Sequence, residues 1–543
     1  LMPVAVVPVH LLEPEQMLLH RVLTAIRLNT TTGALAEDDV AHSGAWFRSP
    51  DDMARLYVQW PDALANTDWV AERCNVELPL GTPLFPQSEL PLGETAFSYL
   101  WQQAFEGARA LYRPLTPRVI QRLQYELDVI HELGFAPYFL IVWDIVYYAR
   151  ARDIPIVGRG SAANSLVAHV LGITRVDPFK YDLYFERFLN RSRTDCPDID
   201  LDICWRRRDE VIDYVYRKYG ADRVAMIATF NTFQARSALR EVAKAFGWTD
   251  AEIGPIVRRI PHYHASDIRT LLERIPECRG LHPDLEPLKS ILAISESLDG
   301  FPRHLSIHSG GLVIAPEPLT RFTPLQRAPK GIQITQYDMH AVEALGLIKM
   351  DLLGHRSLTV IHDAVEAVRA NRGIALDIER LPDPDPLTAD CIRTSRTIGC
   401  FQIESPAMRT LLKSVRADNT DMLIKTLSLI RPGPSGSGMK QHFIDRHLGK
   451  EPVTYPHPAL EEALRDTYGV MLYQEDILKT AHLVADMDLA EADTFRRAMT
   501  KTRDPQHIAK AMKRFCEKAA ANGVAPGQAE TIGALMANFA EYS

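Results

Sequence analysis

Three aspartates at alternate positions of residues 197–203 are the side chains best suited to chemistry. In an extended strand alternate side chains share a face, so Asp198, Asp200 and Asp202 line one face and apolar side chains line the other. Carboxylates this close repel one another and take up protons unless a cation lies among them. The pattern therefore indicates a site for a hard divalent metal, with a solvated polar strand edge as the alternative. A calcium loop of the EF-hand type is a third interpretation, and Ile203 argues against it by standing where that loop requires glycine.

A second candidate strand, residues 345–354, also carries polar side chains among apolar ones. Alternation with a period of two places Lys349 and Asp351 on one face. The two residues form either a salt bridge on an edge strand, or a site in which Asp351 joins Asp198 and Asp200 while Lys349 binds a phosphate. The spacing alone leaves both interpretations open.

A glycine-rich loop, Gly158-Arg159-Gly160-Ser161, lies between a predicted strand at residues 154–157 and a predicted helix at residues 162–171. This order of elements offers backbone N–H groups and a helix N-terminus to a phosphate. The loop is not a Walker A sequence, and Ala163 occupies the third glycine position of a dinucleotide-binding pattern. A tight turn followed by a serine N-cap is the alternative for the loop taken alone.

Strands and helices alternate in the first part of the chain. Residues 4–9 are predicted to form a strand, and apolar residues at helical spacing predict a helix around residues 19–26. Pro50 marks the start of another helix. The apolar run at residues 135–149 contains Asp144 and is too short to span a bilayer, which favours a buried core helix.

Residues 232–303 follow helical patterns and lie between two strand-like segments, 224–229 and 311–315. We interpret this region as a helical insertion into a domain built on a sheet. From about residue 356 onward the chain is predicted to be mostly helical. The elements together predict a multidomain α+β protein.

Composition sets broad limits on the class of protein. The 543 residues are 46% hydrophobic and 24% charged, as expected of a globular chain with several cores. The seven cysteines are scattered without a C-x-x-C pair, which predicts a reducing cytoplasm and argues against zinc or redox chemistry. A net charge of -8 does not by itself indicate a nucleic-acid binder, although a whole-chain sum can hide local basic grooves. Because the chain starts at Leu1 and stops at Ser543 without a tail-like composition, we expect a fragment.

Eight strings of residues resemble, in order and approximate spacing, the α subunits of bacterial DNA polymerase III, the C-family replicative polymerases. Those similar to the palm of that family are GRGS at 158–161, FERFLN at 185–190, PDIDLD at 197–202 and GLIKMD at 346–351. Those similar to its fingers are FQIES at 401–405, LIRPGP at 429–434, YQE at 473–475 and RRAM at 496–499. The resemblance covers nearly the whole chain.

The resemblance implies three catalytic carboxylates, Asp198, Asp200 and Asp351. One Mg²⁺ on all three would activate the primer 3′-hydroxyl, and a second Mg²⁺ on Asp198 and Asp200 would hold the triphosphate and stabilise the departing pyrophosphate. Asp202 belongs to the motif without being one of the usual ligands.

The resemblance also implies a set of nucleotide contacts. The residues expected to bind the triphosphate are Gly160, Ser161, Arg187 and Lys349. Arg496 and Arg497 match a basic pair of the fingers, which we expect to face nucleotide or template.

The implied architecture is a nucleotidyltransferase palm of the polymerase β type, with a helical thumb insertion and a largely helical fingers domain. The expected boundaries are the end of a polymerase and histidinol phosphatase (PHP) domain at 1–60, palm at 61–231 and 304–355, thumb at 232–303, and incomplete fingers at 356–543. In the first of these domains Pro8 stands where the family often has a metal-binding aspartate, two residues before His10. Because proline cannot bind a metal, we expect no metal-dependent activity from that domain.

The function implied is template-directed DNA synthesis, in replication or in error-prone, damage-tolerant synthesis. The expected partners are primer-template DNA and dNTP and, in the full-length protein, the sliding clamp and other replisome subunits; we expect a cytoplasmic protein with no membrane partner. Two alternatives remain: a template-independent nucleotidyltransferase, which has no reason to carry long fingers, and a DNA-binding scaffold that has lost its chemistry. The presence of all three aspartates argues against the scaffold.

Overall fold

The computed structural model describes residues 2–78, 80–86, 90–192, 196–276, 283–431, 438–500 and 504–540. Two features of the sequence, Cys278 and residues 432–434 of the LIRPGP string, lie outside these ranges. The described residues form an α+β fold in two compact units. The first unit comprises Leu1–Thr82, Met226–His308 and Leu319–Gly346, and the second comprises Pro83–Ala225, Ser309–Pro318 and Leu347–Ser543.

Within the described ranges, the strands are β1 (Ile156–Arg159), β2 (Asp200–Cys204), β3 (Val224–Thr232), β4 (Pro302–Ile314), β5 (Leu325–Arg327), β6 (Gln333–Thr335) and β7 (Lys349–His355). The α-helices of the first unit are α1 (Met17–Leu28), α2 (Pro50–Leu56), α3 (Pro61–Ala71), α9 (Ala235–Ala245), α10 (Asp250–Arg259), α11 (Ile268–Arg274), α12 (Leu288–Ser297) and α13 (Met339–Ala344). Those of the second unit are α4 (Ala96–Leu111), α5 (Pro117–Glu132), α6 (Ala136–Arg150), α7 (Leu166–Val170), α8 (Arg208–Tyr219), α14 (Arg356–Arg372), α15 (Pro386–Arg393), α16 (Pro406–Val415), α17 (Thr420–Leu429), α18 (Met439–His447), α19 (Glu461–Leu464), α20 (Gln474–Ala485), α21 (Leu489–Thr500), α22 (Pro505–Ala521) and α23 (Pro526–Ala540).

The first unit contains a core of helices. Val22 and Ala25, one turn apart on α1, are fully buried in the same cluster as Leu239 of α9 and Ile291 of α12. The helical prediction for the region between β3 and β4 is confirmed in the described residues, because α9 to α12 all lie there. Strands β4, β3, β6 and β5 neighbour one another in that order.

The strand predicted at residues 4–9 is wrong. The backbone of Val6 bonds the hydroxyl of Tyr57, and the N–H of Ala5 donates to a carbonyl of α3. Pro8 lacks an N–H, so this segment cannot offer an unbroken row of donors to a partner strand. Its backbone groups are therefore satisfied by side chains and helices.

In the second unit four strands pair in the order β1-β2-β7-β4. The β2–β7 pair is parallel, while the β1–β2 and β7–β4 pairs are antiparallel. Helix α6 packs beside β1, and Phe139, Ile141 and Ile145 are fully buried along it, which confirms the predicted core helix. Within the described residues no single helix is long and apolar enough to cross a membrane; α5 and α6 meet that criterion only together, and they are bent by 114°.

The helices from α15 onward share a second core in the same unit. Its fully buried side chains include Leu412, Phe443, Leu478 and Phe515. Each helix contributes one apolar face, so the helical prediction beyond residue 356 is confirmed for the described residues.

Candidate active site

The acidic residues of β2 and β7 meet through the register of the two strands. Asp200 lies directly beside Asp351 across the parallel pair, and Asp198 precedes β2 by two residues on the same face. One carboxylate oxygen from each of the three lies within 4.8 Å of the others. Oxygens on opposite sides of one bound divalent cation are separated by about 4–5 Å, so the three carboxylates fit such an ion.

Two cationic side chains lie against these carboxylates. Lys349 Nζ is 2.6 Å from Asp351 Oδ2 and 3.6 Å from Asp198 Oδ2. Arg159 bridges Asp200 and Asp202, with Nη1 3.1 Å from Asp200 Oδ2 and Nε 3.2 Å from Asp202 Oδ1. The sequence patterns do not single out Arg159, although it belongs to the GRGS string and follows the predicted strand at residues 154–157 by two positions.

The electrostatic environment of Asp200 favours a nearby cation. Burial, together with the nearby charge of Asp198, raises the pKa of Asp200 to about 6, and Arg159 acts in the opposite direction. A carboxylate in this position gains stability from a positive charge close by. The group therefore has the donor chemistry and the electrostatic demand of a divalent metal site.

The glycine-rich string begins inside a strand. Strand β1 runs to Arg159, so Gly158 is a strand residue; its N–H donates to the carbonyl of Ile173 at 2.7 Å. A Cβ on Gly158 would lie 2.7 Å from that carbonyl oxygen, a separation that only glycine avoids. Gly160 has φ +74°, and a Cβ there would lie 3.8 Å from Asp200 Oδ2. The string therefore brings backbone directly beside the acidic strand.

After Gly160 the chain forms a 3₁₀ turn, Gly160–Asn164, before α7. The single helix predicted over residues 162–171 is therefore wrong in its start. The side chain of Ser165 accepts a hydrogen bond from the N–H of Ala168 and caps α7, so the α-helix begins at residue 166. The carbonyl of Ser161 accepts a hydrogen bond from the Asn164 side chain, which closes the turn.

A fully buried carboxylate, Glu126 of α5, holds the end of this turn. It accepts hydrogen bonds from the backbone N–H groups of Leu166 and Val167, from the Ser165 hydroxyl and from Arg122. Burial raises the pKa of Glu126, and Arg122 acts against that rise. The Arg122–Glu126 ion pair therefore holds the junction between the Gly160–Asn164 turn and α7.

Two of the predicted nucleotide contacts, Arg187 and Arg496, form a second group. Arg187 ends the 3₁₀ turn Phe185–Arg187 and pairs with Glu475 of α20, while Arg496 of α21 pairs with Asp493 at 2.7 Å. Gln474 accepts hydrogen bonds from both arginines. Arg497 follows on α21 and is half-buried.

Asp476, on α20 beside this second group, makes a pH-dependent contribution to stability. Its Oδ2 accepts from the N–H groups of Leu472 and Tyr473, and burial raises its pKa from 3.8 to about 7. Because the folded state then binds more protons than the unfolded state between these values, stability falls as pH rises through this window. Below about pH 4 the carboxyl group of Asp476 is protonated in both the folded and the unfolded state, so it causes no loss of stability. Above about pH 7 it is charged in both states, and the loss of folding stability caused by burying the charge is complete.

We expect Asp476→Asn to remove this dependence, since the amide oxygen keeps both hydrogen bonds without a charge. In urea unfolding at successive pH values, the free energy of unfolding of the variant relative to that of the wild type should rise by about 1.4 kcal/mol per pH unit from pH 5 to pH 7 and level off above about pH 7. Asp466→Asn, at an exposed position, is the control and should follow the wild type. Parallel profiles for Asp476→Asn and wild type would contradict the assignment.

Family comparisons match two stretches of the chain. Residues 98–354 match the model of the bacterial DNA polymerase III alpha NTPase domain, and residues 357–523 match that of the bacterial DNA polymerase III alpha subunit finger domain. The first stretch contains the three clustered aspartates, and the second contains Gln474, Glu475 and Arg496.

Curated relatives match over nearly all of the chain. The error-prone DNA polymerase of Symbiobacterium thermophilum is 41% identical over 98% of the chain and 49% of its own length. The DNA polymerase III alpha subunits of Bacillus subtilis and Aquifex aeolicus are 38% and 35% identical, again over 98% of the chain and 48% and 49% of their own lengths. The chain therefore spans about half the length of the curated relatives it matches.

Proposed function

Since the chain belongs to the bacterial DNA polymerase III alpha subunit family, we propose that the protein is a template-directed DNA polymerase. It would transfer dNMP from a dNTP to a primer 3′-hydroxyl and release pyrophosphate. The observation that carries this proposal is the cluster of Asp198, Asp200 and Asp351, built from adjacent strands, with Lys349 and the Gly160 turn beside it.

The proposed architecture follows the family. A palm of the polymerase β type would comprise residues 61–231 and 304–355, with the thumb at 232–303 and fingers from 356. The first 60 residues would be the end of a PHP domain, in which Pro8 replaces the expected metal ligand. The parallel β2–β7 pair, which aligns two carboxylates, supports the assignment of a palm.

We assign the two Mg²⁺ ions to Asp198, Asp200 and Asp351, and when bound they would supply Lewis-acid activation of the hydroxyl and charge stabilisation of the leaving group. Lys349 and Arg159 lie against these carboxylates, and the Gly160 turn lies beside Asp200. With the carboxylates engaged by the ions, the side chains of Lys349 and Arg159 would be able to bind triphosphate oxygens. The backbone of Gly160 and Ser161 would orient the triphosphate, and positioning and charge neutralisation would supply most of the catalysis.

The remaining basic residues are proposed to act from the second group. Arg187 would bind phosphate, and the pair Arg496 and Arg497 would face nucleotide or template. Base pairing with the template would select the nucleotide, so contacts with DNA should go mainly to phosphates and weaken with salt. Because both an error-prone polymerase and polymerase III alpha subunits match the same span, the proposal covers both roles. Clamp and replisome contacts, and a location in the bacterial cytoplasm, are part of the proposal for the full-length protein.

Primer extension by the natural full-length protein tests the proposal. With a labelled primer-template, Mg²⁺ and single dNTPs, the wild type should add only the nucleotide complementary to the template, and Asp200→Ala should extend no detectable primer. Addition without a template would favour the template-independent nucleotidyltransferase. Absence of extension by the wild type, or equal extension by Asp200→Ala, would refute the catalytic assignment.

A further inference from the structure

The YQE motif joins two arginines of the proposed nucleotide-binding set, Arg187 and Arg496. Arg187 Nη2 donates to Gln474 Oε1 at 3.1 Å, and Arg496 Nη1 donates to the same oxygen at 3.3 Å. Glu475, the next residue, forms an ion pair with Arg187. One turn of α20 thus contacts both guanidinium groups.

The two ion pairs of this group differ in construction. Arg496 and Asp493 lie three residues apart on one helix, and their side chains are only 7% and 1% exposed, so the pair is fixed within α21. Arg187 and Glu475 come from segments 288 residues apart in the sequence, and their side chains remain 23% and 14% exposed. A dissolved anion can therefore compete for Arg187 far more readily than for Arg496.

We propose that Glu475 occupies on Arg187 the place that a phosphate group of the incoming nucleotide takes, and that Gln474 is the positioning residue that aligns Arg187 with Arg496. The inference rests on the proposed polymerase function and names two residues to which that function gives no role. A carboxylate and a phosphate oxygen use the same N–H donors of a guanidinium, so their binding to Arg187 is mutually exclusive.

The exchange has two consequences. Because each nucleotide that binds must break the Arg187–Glu475 pair, nucleotide affinity depends on how much stronger the contact of Arg187 with phosphate is than its contact with Glu475. The same event removes the Glu475 contact between α20 and the turn at Phe185–Arg187, while the hydrogen bond from Arg187 to Gln474 remains and holds Arg187 beside Arg496. Glu475 therefore weakens nucleotide binding, and Gln474 strengthens it.

Glu475→Gln tests the first consequence, since the amide has the shape of the carboxylate and lacks its charge. We expect the KM for dGTP to fall about threefold to fivefold, the effect of removing one partly exposed ionic competitor. The dissociation constant should fall in parallel when dGTP is titrated into the full-length protein with a dideoxy-terminated primer-template, which cannot react. Gln474→Met, which removes the shared acceptor, should raise both constants.

A double variant separates this role from a general effect on the fold. In an Arg187→Ala background, Glu475→Gln should leave the dGTP dissociation constant unchanged, because the residue through which it acts is gone. Glu462→Gln, at an exposed position on α19, is the matched control and should leave the constant at its wild-type value. Glu475→Ala removes the same charge and should also lower the constant if the glutamine variant fails to fold.

The outcomes distinguish this inference from the proposed function. If the wild type extends primers but Glu475→Gln and Glu475→Ala fail to tighten dGTP binding, or tighten it equally without Arg187, the exchange is wrong and the polymerase assignment stands. If the wild type neither binds dGTP nor extends primers, both are overturned.

Discussion

Asp351→Asn is expected to lower the rate of single-nucleotide extension by at least about a thousandfold, whereas Asp202→Asn should stay within about tenfold of the wild type. Asp351 is buried beside Asp200 in the proposed metal-binding cluster, so the asparagine would remove both a proposed ligand and a negative charge. Loss of metal stabilisation is worth several kcal/mol, and about 4 kcal/mol corresponds to a thousandfold in rate. Asp202 lies on β2 with Asp200 and forms an ion pair with Arg159, outside the cluster that the described residues contain.

Metal affinity provides a second measurement for the same pair of variants. Titration of Mn²⁺ into the nucleotide-free protein should show weaker binding for Asp351→Asn and near-normal binding for Asp202→Asn. Circular dichroism spectra should match the wild type for both variants, because asparagine is isosteric with aspartate. If Asp202→Asn proves as inactive as Asp351→Asn, the assignment that leaves Asp202 outside the metal-binding cluster is wrong.

Glu126→Ala should destabilise the junction between the Gly160–Asn164 turn and α7 by about 3–5 kcal/mol, because it leaves three buried donors without their acceptor. The substitution removes the acceptor for two backbone N–H groups, for the Ser165 hydroxyl and for Arg122. Buried donors without an acceptor each add a penalty of about 1–3 kcal/mol. The effect should be local to α7 and the turn before it, and the KM for dNTP should rise with it.

Hydrogen exchange in the peptide that covers residues 160–171 measures this effect directly. At 3 kcal/mol or more, exchange of the Leu166 and Val167 amides should accelerate by about a hundredfold or more. Glu106→Ala, at an exposed position on α4, is the matched control and should leave the peptide protected as in the wild type. Wild-type protection in Glu126→Ala would show that the loop is held by other contacts.

The alternation of residue types predicted the acidic strand and the faces of its side chains, because a sheet buries one face and exposes the other. It could not predict which strand lies beside β2, since register depends on pairing between distant segments. The alternation at residues 345–354 therefore left the place of Asp351 open, the family resemblance implied it, and the structure places Asp351 beside Asp200.

Arg159 shows why one contact was missed. The glycine at position 158 suggested a turn, but its missing side chain serves the close approach of the Ile173 carbonyl within a strand. Because β1 continues to Arg159, that residue faces Asp200 across the antiparallel pair. A glycine signals a constraint on the backbone without saying whether the constraint is a turn or a neighbour.

The partners of Arg187 could not be predicted from the sequence, because they too lie on a distant segment of the chain. Its partners Gln474 and Glu475 are carried by a helix of the matched finger segment, and no spacing rule relates the two. Helical periodicity indicated that α20 would form and which face it would bury. Which residues contact the polar first turn of α20 depends on the tertiary packing.

The pairing of Asp200 with Asp351 also fixes when the site can come into existence during synthesis. The two residues are about 150 positions apart, and closing so long a loop carries an entropic cost that local contacts do not repay. A nascent chain that has not yet released β7 from the ribosome has the acidic strand without its neighbour, and hence without the third carboxylate. On the proposed assignment, affinity for divalent metal would therefore arise late in folding, once the intervening helices have formed and β7 has joined the sheet.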